Sequence, residues 1–378
     1  MKNLRSLFLT IACVFGSAQA DTRSELIKSQ AQNFRIEVVA EGLENPWGMA
    51  FLPQGDLLVT QRSGSLLRIR LGEMKPVTVK GVPQVVASGQ GGSLDIELHP
   101  NYQQPGKDWI YLTYSSPRQD DEPGRGANTA LMRAKLNDGV LVEQQRLFKA
   151  LPNYPQTRHY GSRVVFDRDG YLYVTVGDRG GRDEVQRLDN FRGKIFRLHD
   201  DGSVPNDNPF VKNPEAIDAI WSTGHRNPQG LALHPVTGEL WSHEHGPRGG
   251  DELNVIGNGK NYGWPAITYG VNYSGSIITE ETTRPGMEQP VTYWVPSIAP
   301  CGMTFVTGDR YPQWKGDVLV GSLNFQMLQR VALDGQNVVN QESLLKGIGR
   351  VRAIEQGPDG LIYIATEAPG RVIRLLPE

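Results

Sequence analysis

A strand–turn–strand unit recurs six times along this 378-residue chain, and such a repeat leaves few folds open. The first copy reads GMAFLPQGDLLVTQRSGSLLRI, and the last reads AIEQGPDGLIYIATE followed by RVIRLL. The copies open near residues 48, 95, 163, 230, 302 and 352. This spacing, with three or four strands in each unit, is typical of propeller blades. The sequence therefore predicts an all-β, six-bladed β-propeller with four-stranded antiparallel blades.

An early strand outside the six copies, FRIEVVAEGL from Phe34, is predicted to pair with the last blade and close the ring. Closure would protect an edge strand that could otherwise pair with another chain. A β-sandwich is the alternative fold, although it would not repeat the turns D-x-D-G and x-P-D-G at matched positions. The 43 glycines and 25 prolines disfavour helices. A short helix is expected over Thr22–Gln32.

The N-terminus has the order of a secretory signal peptide: basic residues, an apolar run from Leu7 to Phe15, and small residues ending at Ala20. The run is about half the ~20 residues that a membrane-spanning helix needs, so a membrane anchor is the less favoured alternative. The sequence therefore predicts a signal peptide over residues 1–20 and a single propeller domain over 21–378. We expect a soluble exported protein, which is periplasmic if the host is Gram-negative.

Charge and cysteine content narrow the possible partners. The chain has 39 basic and 41 acidic residues, and cleavage would remove two basic ones, which leaves 37 against 41 and a net charge near −4. Since there is no basic excess, neither nucleic-acid binding nor membrane insertion is expected. The mature chain keeps one cysteine, Cys301, so no internal disulfide can form. A monomer and a homodimer both stay open.

The loops that lead into the innermost strands of a propeller converge on one face. In STGHRNPQGLAL, such a loop places Arg226 and Asn227 just before the strand that begins at Gly230. Polar residues at comparable positions in other blades are Gln90, His159, Asn324, Arg350 and Arg352. Three arginines at one rim suit an anionic, planar, oxygen-rich ligand, because guanidinium groups bind carboxylates bidentately. The alternative is that each arginine pairs with an acidic neighbour.

A histidine and an aspartate are predicted to meet at this rim. The hairpin RVVFDRDGYLYV turns through Asp167–Gly170, so its register pairs residues whose numbers add up to about 337. Continued outward, that register places Asp178 opposite His159. A carboxylate on one imidazole nitrogen fixes the tautomer and leaves the other nitrogen as a base. The alternative is a solvated loop histidine, and a serine-protease triad is not expected because no nucleophile elbow surrounds Ser162.

A possible cation site lies in HEHGPRGGDELNVIGNGKNYGWP. Residues 246–247 (Gly-Pro) expose two carbonyls without a crowding side chain, and Asp251 and Glu252 supply carboxylates. Oxygen ligands of this kind favour calcium over zinc. His243 and His245 make zinc an alternative, but no third soft ligand has the spacing for it.

The motifs GHRNPQGLA, EHGPRGGDELN and NYGWP, together with H-x-G-S-R before DGYLYVTVGD, resemble the soluble glucose/sorbosone dehydrogenase family. The resemblance runs from about residue 34 to the end and is closest to the aldose sugar dehydrogenase branch. It implies a propeller that uses pyrroloquinoline quinone (PQQ) and calcium. It also implies oxidation of aldose sugars at C1 to aldonolactones by hydride transfer to the quinone, with an unidentified external electron acceptor.

The resemblance also implies a role for each candidate residue. His159 would be the general base and also a cofactor contact, Asp178 its orienting partner, and Arg226 a catalytic contact to the quinone carbonyl. The other predicted PQQ contacts are Asn227, Gln90, Arg350, Arg352 and Asn324, the last standing where the glucose-specific branch has lysine. The carbonyls of Gly246 and Pro247 would bind the catalytic calcium, and Glu252, the Tyr262 carbonyl and Asp251 a structural one. His245 stands where the glucose-specific branch has glutamine, and its contact is open.

Two other functions remain as alternatives. A calcium-dependent six-bladed lactonase would place acidic and amide side chains on an axial metal and would have no ring of arginines. A non-catalytic binding propeller would be expected to lose the base. Substrate range depends on the inter-blade loops SSPRQDDEPGRGAN and VNYSGSIITEETTRPGMEQP, whose modest length indicates an open site for several aldoses, including larger ones.

Overall fold

The protein is described here as a computed structural model, which covers residues 24–73 and 75–378. The predicted signal peptide, residues 1–20, lies outside the described residues. The described chain forms six four-stranded antiparallel sheets, so the predicted six-bladed propeller is confirmed. In the first three blades the strands are β2 (Pro46–Phe51), β3 (Leu57–Gln61), β4 (Leu66–Ile69) and β5 (Val77–Val79); β6 (Ser93–Leu98), β7 (Trp109–Pro117), β8 (Ala127–Asn137) and β9 (Val140–Lys149); and β10 (Val164–Phe166), β11 (Leu172–Val176), β12 (Lys194–Leu198) and β13 (Ile220–Thr223).

In the last three blades the strands are β14 (Pro228–Leu233), β15 (Leu240–Glu244), β16 (Asp251–Ile256) and β17 (Thr292–Trp294); β18 (Pro300–Phe305), β19 (Val318–Ser322), β20 (Met327–Asp334) and β21 (Asn337–Leu344); and β22 (Val351–Gln356), β23 (Ile362–Glu367) and β24 (Gly370–Pro377), joined by β1 (Phe34–Glu41). Within the described residues the one helix is a 3₁₀ turn at Arg182–Glu184. Sequence neighbours pair as a meander in five blades, and in the sixth the meander β22–β23–β24 is completed by β1.

The predicted ring closure is confirmed, because β1 pairs with β24 along its length. Phe34 lies opposite Pro377, is fully buried, and packs edge-on against Trp314 with 5.4 Å between ring centroids. The helix expected over Thr22–Gln32 is wrong for its described part, residues 24–32. Ile27 exchanges two backbone hydrogen bonds with Phe34 there, so this segment folds back onto β1 instead of coiling.

The innermost strand of each blade is irregular where it enters the ring. In five blades the first two strands shift register near the start of the inner strand, for example between Pro228 and Gly230. In the third blade, His159 and Ser162 have φ angles of 56° and 83° just before the inner strand. Such bulges re-aim side chains without breaking the sheet. The side chains before the inner strands can therefore turn toward the propeller axis.

A buried arginine joins the inner strands across the axis. The Arg163 guanidinium contacts Asp95 at 2.9 Å and donates to the backbone carbonyls of Gln229 at 2.8 Å and Arg352 at 2.7 Å. It also lies 4.1 Å from the ring centroid of Trp47. Since these partners belong to four other blades, one side chain ties five blades together. Sequence reasoning missed this arginine, because no local pattern marks a contact between distant segments.

Candidate active site

A cavity of about 760 Å³ opens where the loops before the six inner strands meet, and we call it the axial cavity. Its wall includes residues that precede or begin the inner strands of all six blades. The predicted residues that line it are Gln90, Asn227, His245, Pro247, Asn324, Arg350 and Arg352. Arg62 and Arg248 also line it, and sequence reasoning did not select them. No aspartate or glutamate is among the lining residues, so the wall is cationic.

A second space of about 420 Å³, the histidine pocket, adjoins the axial cavity. It is lined by His159, Asp178 and Arg226, and Pro247 and Tyr273 form part of both walls. The structure therefore places the predicted base, its partner and the predicted cofactor contacts at one end of the propeller. Substrate and cofactor could occupy neighbouring spaces there.

His159 and Asp178 are hydrogen bonded, with 2.7 Å between Nδ1 and Oδ1. The carboxylate is held on both oxygens: Oδ1 also accepts from the Gly180 N–H at 2.6 Å, and Oδ2 accepts from the indole Nε1 of Trp264 at 2.9 Å. The His159 backbone N–H donates to Gln90 Oε1 at 2.7 Å. Nδ1 is thereby engaged, and Nε2 has no hydrogen-bond partner among the described residues. The imidazole is arranged to accept a proton at Nε2.

The predicted register is one residue out in the strands themselves. The ladder of β10 and β11 pairs Val164 with Val174. His159 nevertheless reaches Asp178, because the left-handed backbone at His159, Gly161 and Ser162 takes up the extra residue. The predicted contact is present, although the regular hairpin on which the prediction was based does not extend to it.

Burial lowers the pKa of His159, and the nearby charges of Arg226 and Arg158 lower it further, against the opposing effect of Asp178. Burial favours the protonated form of Asp178, but the hydrogen bond from His159 and the Arg226 charge hold its pKa below the ordinary value. At neutral pH the pair is therefore a neutral imidazole beside a carboxylate. That is the protonation state a general base requires.

Arg226 is buried and lines the histidine pocket, whereas Arg350 and Arg352 line the axial cavity. Its Nη1 donates to the carbonyls of Gly246 at 2.7 Å and His245 at 3.1 Å, and the guanidinium lies 5.3 Å from the Trp264 ring centroid. Its Nε is buried and has no partner among the described residues. A buried donor without a partner is costly. The Nε–H is therefore an unsatisfied donor in the protein interior.

Three buried residues, Ser222, His225 and Glu244, form a hydrogen-bonded chain that ends on the backbone of Arg226. Ser222 Oγ lies 2.8 Å from His225 Nε2, and His225 Nδ1 lies 2.9 Å from Glu244 Oε1. The other oxygen of Glu244 accepts the Arg226 backbone N–H at 2.5 Å. Although the order resembles a nucleophilic triad, Ser222 and His225 are fully buried and no substrate can reach them. Sequence reasoning missed this trio; the histidine before Arg226 in GHRNP was its only local signal.

The other two arginines of the predicted set share one carboxylate. Glu367 accepts from Arg350 Nε at 2.9 Å and from Arg352 Nη2 at 2.6 Å. The alternative that each arginine pairs with an acid therefore holds in part for Arg350 and Arg352. One carboxylate cannot neutralise two guanidinium groups, so a net positive charge remains. Asn324 donates to the Ser297 carbonyl at 2.8 Å, and the buried Asn227 accepts from the Gly161 N–H at 3.1 Å.

A small acidic cleft behind Arg226 is the place where a hard cation fits best. Glu244 and Glu252 face each other across β15 and β16, and Tyr262 lines the same space. Burial and then the charge of Glu244 raise the pKa of Glu252 to about 8. Two adjacent buried carboxylates repel each other unless a cation or a proton lies between them. The oxygen donors present suit calcium.

The Gly246–Pro247 turn fits a cation less directly. The Gly246 carbonyl already accepts a hydrogen bond from Arg226. Asp251 holds this turn, because its Oδ1 accepts the Gly246 N–H at 2.8 Å and its Oδ2 accepts the Ala299 N–H at 2.7 Å. The Asp251 oxygens are therefore occupied, and any cation at this turn would depend on backbone carbonyls.

The structure does not favour zinc at the two histidines. His245 Nε2 lies 2.7 Å from the Pro300 carbonyl and His243 Nε2 lies 3.2 Å from the Gly302 carbonyl. Within residues 24–73 and 75–378, no group of three or more histidine, cysteine, aspartate or glutamate side chains is placed to hold a metal. A metal site in this part of the chain would have to include backbone oxygens.

Comparison with known proteins defines the class. The model of the glucose/sorbosone dehydrogenase family matches residues 43–374. The chain is 40% identical to aldose sugar dehydrogenase YliI of Escherichia coli (strain K12), over 90% of this chain and 92% of the relative. The PQQ-bound form of an aldose sugar dehydrogenase from Streptomyces coelicolor superposes with a TM-score of 0.75 at 28% identity, covering 91% of this chain and 98% of that chain.

The apo-form of the soluble aldose sugar dehydrogenase from Escherichia coli superposes with a TM-score of 0.85 at 37% identity, covering 91% of this chain and all of that chain. The chain belongs to the glucose/sorbosone dehydrogenase family. The family resemblance noted in the sequence is confirmed, and so is the prediction of an oxidoreductase.

Proposed function

We propose that the chain is an exported PQQ-dependent aldose sugar dehydrogenase that oxidises the C1 hydroxyl of aldoses to aldonolactones. The observation that carries this proposal is the 2.7 Å contact from His159 Nδ1 to Asp178 beside a cavity lined by arginines and no carboxylate. That wall suits a tricarboxylate cofactor and does not suit the carboxylate-bound axial metal of a lactonase. Names of relatives, including a quinoprotein glucose dehydrogenase, support the same chemistry.

The residues of the axial cavity would hold the cofactor. PQQ supplies a quinone that accepts the hydride from C1 of the sugar. Arg350 and Arg352 would bind its carboxylates, and the guanidinium of Arg226, which lines the adjoining histidine pocket, would lie near the quinone oxygen. Gln90, Asn227 and Asn324 would add hydrogen bonds at the cofactor's edges. These assignments follow from charge and placement in the wall.

Calcium is proposed at two places. Glu252 and the Tyr262 carbonyl would bind it in the acidic cleft, where it would also relieve the repulsion from Glu244. The carbonyls of Gly246 and Pro247 would bind it near the cofactor, which requires the Gly246 carbonyl to be shared with Arg226.

The residues of the chain would divide the remaining work. His159 Nε2 takes the proton of the anomeric hydroxyl. Asp178 keeps the proton of Nδ1 in place and stabilises the imidazolium that forms. Arg226 stabilises the negative charge that develops on the hydride acceptor as the C1 hydrogen is transferred. A donor held in place before the reaction spends no free energy on reorganisation during it.

Replacement of Arg226 by alanine is expected to weaken cofactor binding and to lower kcat by about 10²–10³-fold, the usual effect of losing one such donor. Apo-protein is titrated with PQQ and Ca²⁺, and dye reduction is followed with an aldose. Arg70→Ala is the matched control, because Arg70 is half exposed and lines neither cavity of the site. Unchanged cofactor affinity and turnover in Arg226→Ala would remove Arg226 from both roles.

The pH profile is expected to report a histidine pKa below the ordinary value. The base must be neutral, and burial and the charges of Arg226 and Arg158 lower the pKa of His159. kcat/KM should therefore stay flat down to about pH 6.5, the ordinary histidine pKa, and fall only below it. Profiles of kcat/KM against pH at fixed ionic strength test this, and an acid limb centred above the ordinary value would contradict it.

Dye reduction also decides between this proposal and its alternatives. Reduction of dye by an aldose supports oxidation, whereas acid release from a lactone without dye reduction supports hydrolysis.

We further propose that the protein acts in the periplasm of a Gram-negative host. No helix in residues 24–73 and 75–378 is long and apolar enough to cross a bilayer.

A further inference from the structure

Two arginines that the proposed chemistry does not use line the histidine pocket. We propose that Arg158 and Arg182 bind a carboxylate of the sugar substrate, so that the site prefers uronic acids over neutral aldoses. This inference rests on the proposed function for turnover, but it makes a separate claim about binding.

Arg158 directly precedes the base and has no neutralising partner. Its side chain packs over Gly180, where an added Cβ would lie 2.8 Å from the guanidinium Nε. No carboxylate lies within ion-pair distance of it in residues 24–73 and 75–378, and no described hydrogen bond uses its donors. The charge of Arg158 reaches His159, since it lowers the pKa of that imidazole. Because Arg158 and His159 line the same pocket, a substrate oxidised at His159 would share that space with this guanidinium.

Arg182 brings a second guanidinium to the same wall. Its Nη1 donates to Asn272 Oδ1 at 3.0 Å, a contact that ties the 3₁₀ turn to the loop bearing Tyr273. The carboxylate paired with Arg182 is that of Asp183, 3.7 Å away, and the Asp183 side chain is 94% exposed. An ion pair with so exposed a partner is weak and screened by salt.

Three carboxylates line the pocket, those of Asp178, Asp183 and Glu184, and the last is engaged by an arginine outside it. Glu184 pairs with the buried Arg192 at 3.2 Å. With Glu184 paired, the three lining guanidinium groups of Arg158, Arg182 and Arg226 outnumber the two remaining carboxylates. The charge near the sugar is therefore positive, although the whole chain carries a formal net charge of −2. Guanidinium groups bind carboxylates more strongly than hydroxyls, because the hydrogen bonds are charge-assisted and can be bidentate.

A uronic acid matches this arrangement. Its C1 bears the hydroxyl that is oxidised, and its carboxylate is carried by C5, on the other side of the ring oxygen. With C1 beside His159, the carboxylate would extend along the pocket wall toward Arg158 and Arg182. A charge-assisted hydrogen bond of ordinary strength changes affinity by about tenfold or more.

The test compares galacturonate with galactose, which differ only at C6. On protein loaded with PQQ and Ca²⁺, kcat/KM is expected to be about tenfold or more higher for galacturonate. Arg158→Gln and Arg182→Gln should each lower this ratio toward one, and high salt should lower it in the unaltered protein. Arg187→Gln is the matched control, because Arg187 lies on the same segment and pairs with Asp189 outside the pocket; its ratio should match that of the unaltered protein.

A binding measurement separates this inference from the proposed function. Galacturonate and galactose are titrated into the protein while the intrinsic tryptophan fluorescence is followed, to which Trp264 in the pocket wall contributes together with the six other tryptophans. Tighter galacturonate binding that depends on Arg158 supports the inference even if neither sugar is oxidised, a result that would reject the proposed function. Equal affinities, or equal kcat/KM values for both sugars, would overturn the inference and leave the proposed function intact.

Discussion

His159→Gln is expected to lower kcat by about 10²–10⁴-fold, the usual contribution of a general base. Glutamine can keep a hydrogen bond to Asp178, but its amide cannot accept the proton of the anomeric hydroxyl. Affinity for PQQ should stay nearly unchanged, because the arginines of the axial cavity are untouched. Steady-state dye reduction and cofactor titration measure the two quantities separately.

The control for this substitution is His199→Gln. The His199 ring packs against Tyr171, with 5.2 Å between ring centroids, and does not line either cavity of the site. Its kcat should match that of the unaltered protein. Turnover of His159→Gln within a few-fold of normal would show that another group takes the proton.

Arg163→Met is expected to destabilise the protein by about 3–5 kcal/mol, the cost of leaving a buried charge without its partner. Asp95 would lose its ion pair, and two inner-strand carbonyls would lose donors. Equilibrium unfolding in denaturant gives the change in free energy. A loss below about 1 kcal/mol, the range of exposed ion pairs, would mean that Arg163 ties nothing together.

A second substitution tests the cause of that loss. Asp95→Asn combined with Arg163→Met removes the orphaned charge, so the double variant should recover part of the stability. pH gives an independent check. Burial raises the pKa of Asp95, and without Arg163 protonation removes the buried charge as pH falls. The single variant should therefore be less impaired at acid pH than at neutral pH.

The fold was predictable because its signal repeats. Each blade carries the same alternation of strands and turns, and the predicted openings near residues 48 and 95 lie within two residues of the strands that begin at Pro46 and Ser93. The helix over Thr22–Gln32 had no such repeat behind it, and the pairing of Ile27 with Phe34 overrode local preference. Six copies of one pattern support the same fold prediction together, whereas the secondary structure of a single short segment depends on its tertiary contacts.

The candidate site was predictable only where its residues lie at the ends of one hairpin. His159 and Asp178 could be matched by register, even with an error of one residue. The contact from Trp264 to Asp178 joins positions 86 residues apart and left no local mark. The same holds for the contacts of Arg163, because side-chain directions across an axis depend on bulges and left-handed residues that composition does not reveal.

The pairing of β1 with β24 has a consequence for the order of assembly. Arg35 and Glu378, joined at 2.6 Å, are 343 positions apart, so the first strand synthesised meets its neighbour only when the last one is complete. Contacts of such sequence separation form slowly, because the intervening chain must first be brought together. The ring can therefore close only after β24 has been synthesised, whereas each of the other five blades can form from its own neighbouring strands.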